Sequence, residues 1–144
     1  MEIYITKKHP DAIIPNYAHA LDAGMDLYSA IDGDLVIEPG ARALVPTGIA
    51  VALPEGLAGL IWDKSGLAVK QGISVMAGVI DAGYRGEIIV CIINHGKENV
   101  VIRNGQKISQ LITQPVFHPD IVVVNELPEA SDQRGEGGFG STGI

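Results

Sequence analysis

The chain has 144 residues, 47% of them hydrophobic, and a formal net charge of −7 at pH 7. This length suits one domain with its own core and is too short for two ordinary domains. With a pI near 4.9, the chain lacks the basic stripe that a duplex nucleic acid or an anionic membrane surface requires, so we expect neither partner.

The N-terminus and the cysteine content bear on the compartment. Residues 1–8 alternate like a strand and lack the apolar stretch of a signal peptide, and no segment is long enough to span a membrane. The single cysteine, Cys91, lies in an apolar run and cannot form an intrachain disulfide. We therefore expect an intracellular, cytoplasmic protein.

Eighteen glycines and eight prolines divide the chain into short β-branched runs, a pattern typical of many short strands joined by turns. Regular spacing of this kind predicts an all-β sandwich, barrel or jelly roll. One short helix is predicted at 65–70, with Ser65 as its cap and Gly72 at its end. The predicted strands are 2–7, 23–29, 35–37, 41–46, 49–53, 57–62, 73–75, 78–80, 87–94, 100–102, 107–115 and 121–124.

The predicted strand 87–94 has an apolar interior without alternation. A strand of this kind is expected to be buried on both faces. In a chain this small, its second face could pack against another subunit, or the strand could be the central strand of a two-sheet sandwich. Periodicity does not separate the two interpretations.

A polar linker precedes a glycine-rich C-terminus, so we divide the chain into a core, 1–127, and a C-terminal arm, 128–144. Glycine loses the most conformational entropy on ordering, and such an arm becomes ordered only where a ligand supplies contacts. Its cation Arg134, its aromatic Phe139 and its two hydroxyls suit a nucleotide. A terminal segment without function has the same composition.

Two polar segments carry reactive side chains at the ends of predicted elements. Asp81 follows an apolar strand, where it could orient and deprotonate a water, or could start a turn by bonding its own backbone. Lys64 and Ser65 begin the predicted helix, where backbone amides attract phosphate. An ordinary serine cap, with Lys64 paired to Asp63, would explain the second segment equally well.

Two further polar residues lie in strand-like apolar segments. Asp26 could simply face solvent. Gln110 alternates onto one face with Ile108 and Ile112, and its amide needs a partner, either a water or a strand backbone. The four histidines are scattered and the cysteine has no companion, so a zinc site built by the protein is not expected.

Five segments in this order and spacing resemble the five motifs of the trimeric dUTP pyrophosphatases (dUTPases), and the match spans nearly the whole chain. The segments are 23–27 (AGMDL), 64–68 (KSGLA), 78–86 (GVIDAGYRG), 105–112 (GQKISQLI) and 134–143 (RGEGGFGSTG). The resemblance implies a distorted jelly-roll subunit with one short helix and a homotrimer with shared active sites. It also implies Mg²⁺-dependent hydrolysis of dUTP to dUMP and pyrophosphate, which keeps uracil out of DNA and supplies dUMP for thymidylate synthesis.

The resemblance also implies roles for individual residues. Asp81 would be the base, Gln110 would help to hold the attacking water or the phosphates, and Asp26 would reach Mg²⁺ through a water in its second shell. The C-terminal arm would close over the bound nucleotide. The implied substrate-binding residues are Lys64, Ser65, Gly66, Gly78, Val79, Ile80, Tyr84, Arg134, Phe139, Gly140, Ser141 and Thr142.

Two residues depart from the family pattern, because Lys64 and Lys107 stand where arginine is usual. A lysine replaces the bidentate guanidinium with a point charge. Two rival functions remain. A dCTP deaminase is similar in fold, but it needs a further carboxylate at the pyrimidine ring and usually has phenylalanine at the position of Tyr84. A jelly-roll module that binds nucleotides without catalysis is the second rival.

Overall fold

The computed structural model describes residues 1–129 and 131. Within these residues the chain forms ten strands and one helix, which confirms the all-β fold class. The elements are β1 (Tyr4–Lys7), β2 (Met25–Tyr28), β3 (Leu35–Ile37), β4 (Arg42–Ala52), β5 (Leu57–Asp63), α1 (Ser65–Gln71), β6 (Ile73–Met76), β7 (Val79–Ile80), β8 (Glu87–Asn94), β9 (Val100–Ile102) and β10 (Lys107–Pro115).

Two four-stranded antiparallel sheets and one two-stranded sheet make up the body. The first sheet has the order β1-β4-β8-β6, the second has the order β2-β10-β5-β7, and β3 pairs with β9. Alternate residues of both large sheets enter one buried cluster, with Ile88 and Ile92 from the first sheet and Leu27 and Leu111 from the second. This shared core fixes the second sheet, which carries the polar residues of interest.

Pro46 and Gly48 lie at an irregularity inside β4 and not at a turn between two strands. We predicted two strands, 41–46 and 49–53, but the chain continues as one strand with a shift in register between Pro46 and Ala50. The neighbouring strand β8 supports the shift. The backbone N–H of Gly48 donates to Glu87 Oε1 at 2.7 Å, and the hydroxyl of Thr47 donates to the carbonyl of Ile88 at 2.6 Å.

Two predictions about local structure are wrong. Residues 121–124 form no strand, because they find no ladder partner among the described residues, and Ile121 is 94% exposed. Ser65 does not cap α1; Lys64 takes the capping position with extended backbone, and no side chain bonds to the free amides. Gly72 does end the helix as predicted, with a left-handed φ of 69°.

The prediction that β8 is buried on both faces is wrong within a single chain. One face enters the core through Ile88, Val90 and Ile92, whereas Ile89 on the other face is 48% exposed. The strand lies between β4 and β6 at the centre of its sheet. Its second face therefore carries apolar side chains that no described part of the chain covers fully.

No described helix combines the length and the apolar character needed to cross a membrane.

Candidate active site

A cavity of about 320 Å³ lies where β2, β10 and the end of β5 meet. In the sheet register, Gln110 of β10 is opposite Asp26 of β2 on one side and opposite Trp62 of β5 on the other. Cross-strand neighbours share one face of a sheet. The register thus brings three predicted segments together, and the predicted residues that line the cavity are Asp26, Lys64, Ser65 and Gln110.

Asp26 is buried between two lysines. Its Oδ1 accepts a hydrogen bond from Lys64 Nζ, and its Oδ2 lies 2.6 Å from Lys107 Nζ. Burial opposes ionisation of Asp26, but the hydrogen bonds and charges of Lys107 and Lys64 outweigh it and hold the pKa of Asp26 below its ordinary value. The hydrogen bond and charge of Asp26 in turn raise the pKa of Lys107. The alternative that Asp26 simply faces solvent is wrong.

We expect Asp26→Asn to destabilise the protein at pH 7 by about 2 kcal/mol, because two lysines then face each other without a counterion. Since the pKa of Asp26 is lowered by folding, its stabilising contribution is present above the unfolded value of 3.8 and is lost as pH falls through the folded pKa. The variant and the wild type should therefore converge in thermal stability below pH 3.8. Thermal unfolding followed from pH 7 to pH 2.5 measures the difference.

The matched control for this prediction is Asp34→Asn. The Asp34 carboxylate is half exposed and lies 3.7 Å from Arg103, so its loss should change stability very little. An Asp26→Asn variant as stable as the wild type at pH 7 would contradict the assignment of Asp26 as the counterion of the two lysines.

The side chain of Gln110 is held by backbone on one side and has room made for it by a glycine on the other. Its Nε2 donates to the carbonyl of Asp63 at 2.8 Å, which identifies a strand backbone as the partner of the amide. A Cβ at Gly24 would stand 2.8 Å from Gln110 Oε1, so glycine makes room for the amide. The Asp63 carboxylate bonds to the N–H of Val75 and the hydroxyl of Ser74, so the alternative pairing of Lys64 with Asp63 is wrong.

The start of α1 adds polar groups beside Lys64. Ser65 is exposed and lines the cavity, and its hydroxyl is not consumed by capping. Gly66 follows in the first turn, and a Cβ there would meet no atom within 4 Å. Space therefore remains beside Ser65 for a ligand to approach the backbone.

Asp81 and Tyr84 line a second, smaller cavity of about 170 Å³ together with Val79 and Ile80. The Tyr84 hydroxyl donates to the carbonyl of Glu87 at 2.9 Å, and a Cβ at Gly86 would overlap this hydroxyl. A side chain at position 86 would therefore displace the ring of Tyr84.

The turn that follows β7 is fixed by backbone and by one guanidinium. The N–H of Tyr84 donates to the carbonyl of Asp81 at 3.0 Å, and Arg85 Nη1 donates to the carbonyls of Ala82 and Tyr84 at 2.6 and 2.7 Å. The Asp81 carbonyl, not its carboxylate, starts the turn. The side chain of Asp81 is exposed within one chain.

The two cavities share no lining residue. In the register of β5, Ile80 is opposite Gly59, four residues before Asp63, whose carbonyl holds Gln110 of the other cavity. At 3.3 Å per residue this is about 13 Å along the strand. One chain thus does not place Asp81 and Tyr84 beside Asp26, Lys64 and Gln110. The predicted residues Arg134, Phe139, Gly140, Ser141 and Thr142 lie outside the described part of the chain.

Comparison with known proteins decides the family. The dUTPase family profile matches residues 10–143. The chain belongs to the dUTPase family.

Relatives of this dUTPase-family chain span its length. A deoxyuridine 5'-triphosphate nucleotidohydrolase of Syntrophotalea carbinolica is 46% identical over 99% of this chain and 97% of its own. One from Clostridium tetani is 50% identical over 92% of this chain and 90% of its own.

Solved structures agree with the sequence relatives. A Staphylococcus bacteriophage 80alpha dUTPase mutant with dUpNHpp superposes with a TM-score of 0.86 and 30% identity, covering 99% of each chain. A dUTPase mutant of phage phi11 of S. aureus, described with a structural Mg(II) ion, superposes with a TM-score of 0.83 and 27% identity, covering 90% of this chain and 100% of that one.

The first cavity, around Asp26, contains residues that the sequence did not indicate as site residues. Lys107 was noted only as a departure from arginine, and its pairing with Asp26 became visible through the strand register. His19 and Asp22 line the same cavity from the loop before β2. Neither has a spacing that indicates a site, and only the path of the loop brings them there.

The side chains available as metal ligands restrict how this dUTPase-family chain could hold Mg²⁺. Among the described residues, no three His, Cys, Asp or Glu side chains gather into a metal site. The cavity offers one ionised buried carboxylate, Asp26, whose two oxygens already contact lysines. Magnesium dehydrates reluctantly and commonly binds one or two carboxylates plus substrate phosphates. The residues therefore fit a Mg²⁺ carried mainly by phosphates and waters.

Proposed function

We propose that this protein hydrolyses dUTP to dUMP and pyrophosphate with Mg²⁺, as the names of its relatives suggest. The activity would keep uracil out of DNA and supply dUMP for thymidylate synthesis. The observation that carries the proposal is the cavity in which Asp26, Lys64 and Lys107 lie beside Ser65 and Gln110. Because its single cysteine suits a reducing compartment, we also propose an intracellular location.

The first cavity would receive the triphosphate. Lys64 and Lys107 supply positive charge, and Ser65 supplies a hydroxyl to a phosphate oxygen. Bound Mg²⁺ would neutralise phosphate charge and orient the chain of phosphates. Asp26 would keep both lysines in place and accept a hydrogen bond from a water on the metal. Gln110, anchored on the Asp63 carbonyl, would hold the attacking water or a phosphate oxygen.

The second cavity would select the nucleoside. Strand β7 is the edge strand of its sheet, so its backbone has an outer edge to offer to uracil. The carbonyl of Gly78 already accepts from the N–H of Ile61 at 2.8 Å, and the remaining backbone groups of Gly78, Val79 and Ile80 would pair with the base. Mismatched donors would reject cytosine, since unpaired buried polar groups discriminate by about 10⁴–10⁵. Tyr84, whose hydroxyl is held by the Glu87 carbonyl and whose ring has room because residue 86 is glycine, would pack on the sugar where a ribose 2′-hydroxyl collides.

The exposed carboxylate of Asp81 would be the general base. It lies at the end of β7, in the cavity that also holds Tyr84. Asp81 would take a proton from a water that attacks the α-phosphorus, while pyrophosphate departs carrying the bonding electron pair. A base positioned in this way typically contributes about 10²–10⁴-fold in rate. The arm, through Arg134, Phe139, Gly140, Ser141 and Thr142, would close over the base and the γ-phosphate.

The separation of the two cavities within one chain supports a homotrimer with shared active sites. In such a trimer, Asp81 of one subunit would complete the first cavity, the one around Asp26, of another subunit. The uncovered face of the first sheet supports the same assembly. Leu44 and Ile89 are exposed on this face, and Cys91 is opposite Leu44 in the register. Such an apolar face is typical of a subunit interface.

We expect Ile89→Lys to dissociate the trimer, because a lysine cannot be buried unpaired in the interface. Turnover of dUTP should also fall more than tenfold, and since Ile89 lines the cavity of Asp81 and Tyr84 as well, the mass is the readout that reports on assembly. Light scattering gives the mass, and pyrophosphate release gives the turnover. Val36→Lys is the matched control, since Val36 is another half-exposed aliphatic residue on a strand. An active monomer of the Ile89→Lys variant would refute the shared site.

The proposed function is tested by measuring pyrophosphate release from dUTP, dCTP, dTTP and UTP side by side with Mg²⁺, and ammonia in the dCTP sample. We expect release from dUTP alone, which would establish the reaction together with base and sugar selection. Ammonia from dCTP would instead identify a deaminase. No product from any of the four nucleotides would identify a binding module.

A further inference from the structure

The loop before β2 forms one wall of the cavity around Asp26 and Lys64, to which the proposed function assigns the triphosphate. Hydrogen bonds from β2 to Asn16 connect the two ends of this loop. The N–H of Asp26 donates to the carbonyl of Asn16 at 2.9 Å, and the Tyr28 hydroxyl donates to Asn16 Oδ1 at 2.6 Å. Within the loop, His19 and Asp22 bond to each other. The N–H of His19 donates to Asp22 Oδ2 at 2.9 Å, and the N–H of Asp22 donates to the carbonyl of His19 at 3.2 Å.

The ring of His19 is not a packed core side chain. It is 84% exposed, it lines the cavity, and its Nδ1 lies 3.4 Å from Asp22 Oδ2. With Nδ1–H directed at Asp22, the second nitrogen, Nε2, is left for a ligand. A carboxylate at one ring nitrogen is a common device for orienting the other.

Besides Asp22, the charged groups that line this cavity with His19 are Asp26, Lys64 and Lys107. Asp26 comes from β2 and is paired with Lys64 and Lys107, whereas the ring of His19 lies against Asp22. Lys64 follows the end of β5 and Lys107 begins β10, and both supply positive charge to the same cavity. A bound triphosphate would bring negative charge into this cavity, and nearby negative charge favours the protonated form of an imidazole.

We infer that His19, oriented by Asp22, is a further phosphate-binding residue, which in its protonated form donates a hydrogen bond from Nε2 to an oxygen of the triphosphate. The inference rests on the proposed function, because it assigns the same cavity to the phosphates of dUTP. It adds a pH-dependent contact to the constant charges of Lys64 and Lys107. Asp22 acts only through His19 and is a positioning residue.

The first test compares the pH dependence of KM for dUTP in the wild type and in His19→Gln. In the wild type we expect KM to be about three- to tenfold lower at pH 5.5 than at pH 8, the range of a charge-assisted hydrogen bond at an exposed site. In His19→Gln the decrease of KM between pH 8 and pH 5.5 that His19 causes should vanish. The value of kcat should stay similar, since the contact binds substrate without acting in the chemical step. Asp22→Asn should reduce it in part.

The matched control is His118→Gln, because His118 is exposed and lines none of the cavities described above. It should keep the wild-type profile. Indistinguishable KM profiles for wild type and His19→Gln would overturn the inference and leave the dUTPase activity standing. An unchanged KM combined with a changed half-saturation by Mg²⁺ would also overturn it, since His19 would then act on the metal.

A second test does not depend on turnover. The ring proton signals of the four histidines are followed by NMR as pH is varied, with and without Mg²⁺ and inorganic tripolyphosphate. We expect the midpoint of the His19 signal alone to rise when tripolyphosphate is added. An unmoved His19 signal would overturn the inference. A moved signal in a protein that hydrolyses no dUTP would support the contact and refute the proposed function.

Discussion

Asp81→Asn should lower kcat for dUTP by about 10²–10⁴-fold and leave dUTP binding measurable, because the amide keeps the shape of the side chain but cannot accept a proton. The carboxylate is exposed at the end of β7 and makes no hydrogen bond to the rest of the described chain, so the substitution should not affect folding. Single-turnover kinetics and equilibrium binding separate the two effects. Full activity in the variant would remove Asp81 as the base.

The same variant also tests whether the active site is shared between subunits. Asp81→Asn and Asp26→Asn should each be nearly inactive alone, because each lacks one part of every site. If Asp81 of one subunit serves the cavity around Asp26 of another, mixed trimers contain some sites in which both residues are intact. Co-refolded mixtures should therefore regain part of the activity. No recovery in trimers shown to be mixed would mean that each chain builds its own site.

Deletion of residues 134–144 should leave a folded trimer whose dUTP turnover is at least about 100-fold lower, since a loss of positioning by 1 Å can have that effect. The arm would exclude water and hold the γ-phosphate when it closes. Thermal unfolding and light scattering should match the full chain, because the described core makes up both large sheets without the arm. Pyrophosphate release measures the loss.

Two single substitutions measure separately what Arg134 and Phe139 contribute to the effect of the deletion. Arg134→Ala should weaken dUTP binding more than dUMP binding, because the guanidinium is assigned to the γ-phosphate. Phe139→Ala should weaken both, because the ring is assigned to the base. A truncated protein that hydrolyses dUTP at the full rate would mean that the arm is not a lid.

Sequence by itself determined the strands whose limits depend on local chemistry. The predicted limits of β3, β8, β9 and β10 are those of the structure, because β-branched runs end there at residues that favour turns. The end of α1 was likewise predictable, since Gly72 adopts a left-handed φ that other residues avoid. The five motifs identified the family and the residue types of the site, but not the contacts among them.

Only the tertiary structure decided which charges meet. Asp26 and Lys64 are 38 residues apart in sequence, and it is the antiparallel register of the second sheet that joins them. The same register keeps Asp81 in a separate cavity, which no spacing in the sequence indicates. Local patterns report propensities within a few residues, whereas these contacts depend on how the sheets pair around a common core. That is why Asp26 could be recognised as a site residue but not as the partner of two lysines.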